Sequence, residues 1–146
     1  MKINDKALDF TLLNQNGEEV TLSDYLGTEV VLFFYPKNFT PGCTAQVCSY
    51  RDNSKEFEKL NIKVIGISKD TVESHKKFES KYSLSFDTLA DTTGEVIEKY
   101  GVNGLILSNR TTFILDKDHI ITDIFEKTDP KTDSDRVLEV LRKKRA

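Results

Sequence analysis

Two near-continuous apolar runs constrain the fold of this chain more than any other feature. "EVVLFFYP" (Glu29 to Pro36) and "IKVIGIS" (Ile62 to Ser68) lack the alternation of a half-exposed strand, so each reads as a strand covered on both faces. A sheet built on such strands needs a layer on either side, and the segments between them carry helical patterns. Residues from Pro41 to Leu60 place Val47, Tyr50, Phe57 and Leu60 at roughly helical spacing, and "TVESHKKFESKYS" reads as the next helix. "SFDTLAD" reads as a short strand. "DTTGEVIEKYG" contains Thr92-x-x-Glu95, the pattern of a capping box, and stops at Gly101. Near the start, "FTLLNQNGEEVTL" sets two apolar-rich arms around Asn16-Gly17, a hairpin signal. "TTFILD" and "HIITDIFEK", joined by Lys117-Asp118, read as an antiparallel pair, and a final helix begins near Thr132. The sum is an α/β fold with a central mixed β-sheet flanked by helices and an N-terminal β-hairpin. With no repeat, low-complexity tract or linker, residues 1–146 read as a single domain.

Composition narrows the function. The net charge of −3 argues against a nucleic-acid binder. The basic end, "RKKRA", reads as the last turn of a helix, where cations oppose the dipole. No run of eighteen apolar residues predicts a membrane span, and "MKINDKALDF" shows no apolar leader, so a cytoplasmic protein is expected. In that reducing compartment, two cysteines are not expected to serve as a structural staple.

Both cysteines fall in "FFYPKNFTPGCTAQVC", at the seam between a buried strand and a helix. Pro36 ends the strand, Thr40 suits the N-cap, Pro41 suits the first helical position, and Cys43 falls at about the third. Helix initiation alone accounts for Thr40 and Pro41. It does not account for Gly42, a poor helix former that permits close approach of another group. A cysteine in the first turn sits beside unsatisfied N–H groups at the positive end of the dipole, which suits a nucleophilic thiolate. Cys48 taken alone reads as core filling, and Arg110 taken alone as a solvated residue at a strand end. His75, among lysines, and His119, in a turn, read as solvated.

The segment "YPKNFTPGCTAQVCSYRD" (Tyr35 to Asp52) resembles the active-site segment of the peroxiredoxins, specifically the bacterioferritin comigratory protein type, also called PrxQ. "VIGIS", "ADTTGEVIEKYGV" and "RTTFILDKDHII" follow in that family's order, so the resemblance covers the whole chain, and Pro36-x-x-x-Thr40-x-x-Cys43 is its most specific element. The resemblance implies a thioredoxin-like fold and thiol-dependent reduction of hydrogen peroxide and organic hydroperoxides. It implies Cys43 as the peroxidatic cysteine and Cys48 as the resolving cysteine, joined in an intramolecular disulfide that thioredoxin or a similar dithiol reductant recycles. It also implies that Thr40 and Arg110 bind thiolate and peroxide, and that Pro36 shields the sulfur from water. No cofactor or metal is implied, and intramolecular resolution needs no partner subunit, so a monomer is expected. In place of the glutamate common three residues after the peroxidatic cysteine, this chain has Gln46, which keeps hydrogen bonding without charge. The stretch between Tyr100 and Arg110 is shorter than in many relatives.

Two other readings share this fold. A dithiol carrier would want C-x-x-C rather than Cys43-x4-Cys48. A peroxide-sensing redox switch would use the same thiol without fast turnover. A cysteine hydrolase would need a partnering histidine, and C-x4-C with scattered histidines lacks zinc-ligand spacing. One geometric expectation remains. Cys43 and Cys48 on one regular helix would have Cα atoms roughly 8.5–9 Å apart, against about 4.4–6.8 Å for a disulfide. The first turns must then unwind, and Gly42, Thr44 and Gln46 predict a segment that opens cheaply.

Overall fold

The computed structural model describes residues 1–104 and 108–145. Strands β1 (Thr11–Leu13) and β2 (Glu19–Thr21) form the hairpin around Asn16-Gly17, with Gly17 at the positive φ its turn requires. There follow β3 (Glu29–Phe34), α1 (Pro41–Asp52), α2 (Ser54–Lys59), β4 (Ile62–Ser68), α3 (Val72–Tyr82), β5 (Asp87–Ala90) and α4 (Glu95–Lys99). The chain ends with β6 (Thr111–Leu115), β7 (Ile121–Glu126) and α5 (Asp133–Arg145). Among the described residues the strands make one mixed seven-stranded sheet in the order β2-β1-β5-β4-β3-β6-β7. The three central strands β5, β4 and β3 run parallel, and the outer pairs are antiparallel.

The unbroken apolar run of β3 follows from its central place. Val30, Leu32 and Phe34 point into one layer, with Ile97 of α4, Tyr100 and Phe113. Val31, Phe33 and Tyr35 point into the other, with Val47 and Tyr50 of α1, Phe57, Phe78 and the apolar face of α5. All six strand-run residues are fully buried, each worth about 1.5–3 kcal/mol for a side chain of this size. The Phe33 ring stacks on Tyr50 with centroids 4.2 Å apart, which presses α1 onto the sheet. Gly66 of β4 leaves room for that ring, since a Cβ there would lie 2.7 Å from it. Among the described residues no helix is long and apolar enough to cross a membrane.

Three local expectations are corrected. The helix expected from Pro41 to Leu60 is two helices, broken at Asn53, whose amide reaches across to Ser134 and Asp135 of α5. The capping box at Thr92 does not form. Gly94 is the N-cap of α4, and Asp91 takes the N–H groups of Val96 and Ile97 from one turn further back. His75 and His119 are buried rather than solvated. His119 Nε2 donates toward the carbonyls of Tyr25 and Thr28.

Candidate active site

The antiparallel register of β3 and β6 builds the site. Phe34 at the carboxyl end of β3 pairs with Thr111 at the start of β6, so Arg110 arrives beside the loop leading into α1. Its guanidinium Nη2 lies 3.6 Å from the Cys43 sulfur, and the Lys37 backbone N–H points at the same sulfur at 3.4 Å. The thiol is 1% exposed, at the start of α1. Gly42 now has its reason, because a Cβ there would lie 3.1 Å from Arg110 Nη2. The small residue lets the guanidinium pass close over the helix start.

Thr40 precedes α1 as expected, but its hydroxyl does not cap the helix. It donates instead to the Lys37 carbonyl at 2.8 Å, which ties the loop together and leaves its oxygen free to accept. Pro36 sits half-buried at the turn out of β3. Cys48 is also half-buried and free of any disulfide, and burial pushes its thiol pKa up, with Arg51 opposing and Asp52 reinforcing the shift. The shortened stretch between Tyr100 and Arg110 includes residues 105–107, which lie outside those described. Ser108, beyond them, donates to the Tyr35 carbonyl at 2.7 Å.

The expectation of a cheaply opened helix start is corrected at Gln46. Its side chain is fully buried, with Oε1 accepting from Arg110 Nη1 at 2.6 Å and Nε2 donating to Asp133 at 3.1 Å. Val47 beside it is also fully buried.

A polar network under the loop was not foreshadowed by any local pattern. Tyr35 donates to Asn38, the Asn38 backbone N–H donates to Asp70, and Ser68 donates to the same carboxylate. His75 of α3 closes the network, with Nδ1 facing the Asn38 amide at 3.1 Å and Nε2 facing the Ser68 hydroxyl at 3.3 Å. Burial lowers its pKa to about 4, against the opposing pull of Asp70. The imidazole is therefore neutral near pH 7, and its work is to fix the loop that offers the Lys37 N–H. Among the described residues no cluster of His, Cys, Asp and Glu is arranged to hold a metal.

The thiol thus lies under an arginine and a loop amide, at a helix start beside a central strand. The family model described as "AhpC/TSA family" matches residues 3–124. The chain belongs to the AhpC/TSA family. It is a peroxiredoxin of the bacterioferritin comigratory protein type, and so an oxidoreductase. A bcp peroxiredoxin from Coxiella burnetii is 39% identical, over 87% of this chain and 89% of its own length. Chloroplastic peroxiredoxin Q of Arabidopsis thaliana is 43% identical, over 93% of this chain and 65% of its own length. Peroxidoxin BcpB from Mycobacterium tuberculosis superposes with a TM-score of 0.91 at 38% identity, covering 97% of each chain. A cysteine-to-serine mutant of Xylella fastidiosa PrxQ gives a TM-score of 0.96 at 28% identity, over 100% of this chain and 98% of that one. The thioredoxin-like fold expected of this peroxiredoxin stands.

Proposed function

We propose that this peroxiredoxin reduces hydrogen peroxide and organic hydroperoxides with Cys43 as the peroxidatic cysteine and Cys48 as the resolving one. The observation that carries the reading is the convergence of Arg110 and the Lys37 amide on a buried sulfur in the first turn of α1. The Cys43 thiolate attacks the terminal peroxide oxygen. The O–O bond breaks, the leaving oxygen takes up a proton to depart as water or alcohol, and the sulfur becomes a sulfenic acid. Arg110, always charged and presenting a planar fork of donors, binds the sulfur and the reacting oxygens together. Thr40 accepts from the incoming hydroperoxide O–H while its own hydroxyl keeps donating to the Lys37 carbonyl. Pro36 walls the pocket against water.

The Cys48 thiolate then attacks the Cys43 sulfur, the S–O bond breaks, the leaving hydroxyl takes up a proton to depart as water, and an intramolecular disulfide forms. A dithiol reductant of the thioredoxin type returns both thiols by exchange. The cycle needs one chain and a reducing compartment such as the cytoplasm, so the protein works as a monomer there. Consumption of NADPH through thioredoxin reductase and thioredoxin tests the cycle. It should depend on this protein and on peroxide, and vanish in Cys43→Ser. Cys48→Ser should oxidise once, fail to recycle, and progress to the sulfinic acid under excess peroxide. Sustained turnover by Cys43→Ser removes Cys43 from the mechanism, and turnover also separates this reading from a peroxide sensor.

A further inference from the structure

Asp133 opens α5 and is 2% exposed. Three donors converge on its Oδ2: Gln46 Nε2 at 3.1 Å, the Tyr50 hydroxyl at 2.6 Å and the Thr112 hydroxyl at 2.8 Å. Its Oδ1 is buried with no hydrogen-bond partner among the described residues. A buried carboxylate is costly, and one that leaves an oxygen bare is poorly suited to a purely structural tie. What distinguishes it is what lies on the far side of Gln46. Arg110 can only donate and an ionised carboxylate can only accept, so one orientation of the Gln46 amide satisfies both. The flipped amide would aim its NH2 at the guanidinium and its carbonyl at the carboxylate. A carboxylate at position 46 would serve Arg110 but would set two negative charges about 3 Å apart out of water.

We propose that Asp133 is a positioning residue that acts through the Gln46 amide to hold Arg110 on the Cys43 sulfur. The proposal rests on the reading of Cys43 as the peroxidatic cysteine. Amide and carboxylate form a matched pair: they can exchange places, but neither can be doubled. With two amides, both can turn and neither fixes Arg110. With two carboxylates, the pair repels.

The test compares Gln46→Glu, Asp133→Asn and the double variant with wild type, in the full chain. Two rates are followed from pH 5.5 to 8.5: loss of the Cys43 thiol on a single exposure to hydrogen peroxide, and its alkylation by iodoacetamide without peroxide. Thermal unfolding is recorded alongside. Each single variant should slow both reactions about tenfold, and the double should return to within about threefold of wild type, the coupling expected of residues in one network. Gln46→Glu should also gain an inflection with pH that wild type and the double variant lack, because two adjacent carboxyls share a proton. The ionisable groups facing the pair are Tyr50 from α1 and Arg110 ahead of β6. If the double variant is instead slowed by the product of the single effects, about a hundredfold, Asp133 is merely structural and the proposal falls. If wild type keeps its Cys43 thiol in peroxide, the peroxidatic reading fails, and the alkylation rates still decide the role of Asp133.

Discussion

Val47→Ala tests whether α1 unwinds when the disulfide forms. In the reduced protein Val47 is fully buried against the sheet, one residue before Cys48. On an intact helix the two cysteines stand too far apart to bond, so the disulfide form must release the turn that carries Val47. Removing two methyl groups loses about 1.6 kcal/mol of transfer free energy, and the residual cavity brings the cost of the helical form to about 2 kcal/mol. Alanine is the better helix former by about 0.5 kcal/mol, which leaves about 1.5 kcal/mol net. The disulfide form, with residue 47 in solvent, loses almost none of this. Destabilising only the dithiol form makes reduction harder, so the reduction potential should fall by about 30 mV. The Cys43–Cys48 bond should also form up to about tenfold faster after oxidation, where opening limits it. Equilibration in dithiothreitol buffers, read by alkylation and gel shift, measures the potential. A potential within about 10 mV of wild type would mean Val47 stays buried in both forms, and the unwinding argument would be wrong.

Arg110→Ala should slow the first oxidation of Cys43 by about a hundredfold while leaving reduction of the disulfide by thioredoxin intact, as stopped-flow with each half-reaction would show. Gly42→Ala should slow the same step by a smaller factor, because its Cβ pushes Arg110 by only a few tenths of an ångström; a rate equal to wild type would show that this close approach is unimportant. The folded protein holds His75 neutral with a pKa of about 4, below the ordinary 6.5, so the unfolded chain binds the proton more readily. Its contribution is present above pH 6.5 and is lost as pH falls toward 4, by up to about 3 kcal/mol. Melting temperatures across that window should fall more steeply for wild type than for His75→Gln, and parallel curves would place the titration elsewhere. In the oxidised protein, amides of residues 43–51 should exchange faster than in the reduced one; equal protection would mean that the thiols do not pair or do not start on one regular helix.

The parts of this molecule that sequence made legible are those decided within a few residues. The apolar runs of β3 and β4 announce strands buried on both faces, and Asn16-Gly17 announces its turn, because local chemistry sets each of them. Where a partner from elsewhere in the chain takes part, local reading fails. Thr92 looks like a cap, but Asp91 reaches the free N–H groups of α4 instead. Thr40 does precede its helix, yet the Lys37 carbonyl takes its hydroxyl. His75 sits among lysines in sequence, but Phe78 three residues on shares its buried face, and that spacing was the signal to read. The place of Cys43 at a helix start was legible from its neighbours, and the approach of Arg110 to it only through the family resemblance. Asp133 was not, because an acid at a helix start satisfies local expectation and nothing nearby in sequence shows that Gln46, 87 residues away, will meet it.

In the proposed mechanism, the reach between Arg110 and Cys43 also sets when the thiol becomes dangerous. Sixty-seven residues separate them, and they meet only after β6 has paired with β3. At the usual pace of synthesis, about 5–20 residues per second, the arginine emerges roughly 3–13 s after the cysteine. Under the proposed mechanism, the growing chain carries its thiol throughout that interval without the guanidinium that would aim peroxide at it. With Cys43 as the proposed peroxidatic residue, the fold would time its own arming: an unfinished or misfolded copy has not brought Arg110 to the sulfur, and the cysteine would gain its full appetite for oxidant only in molecules that have passed the test of folding.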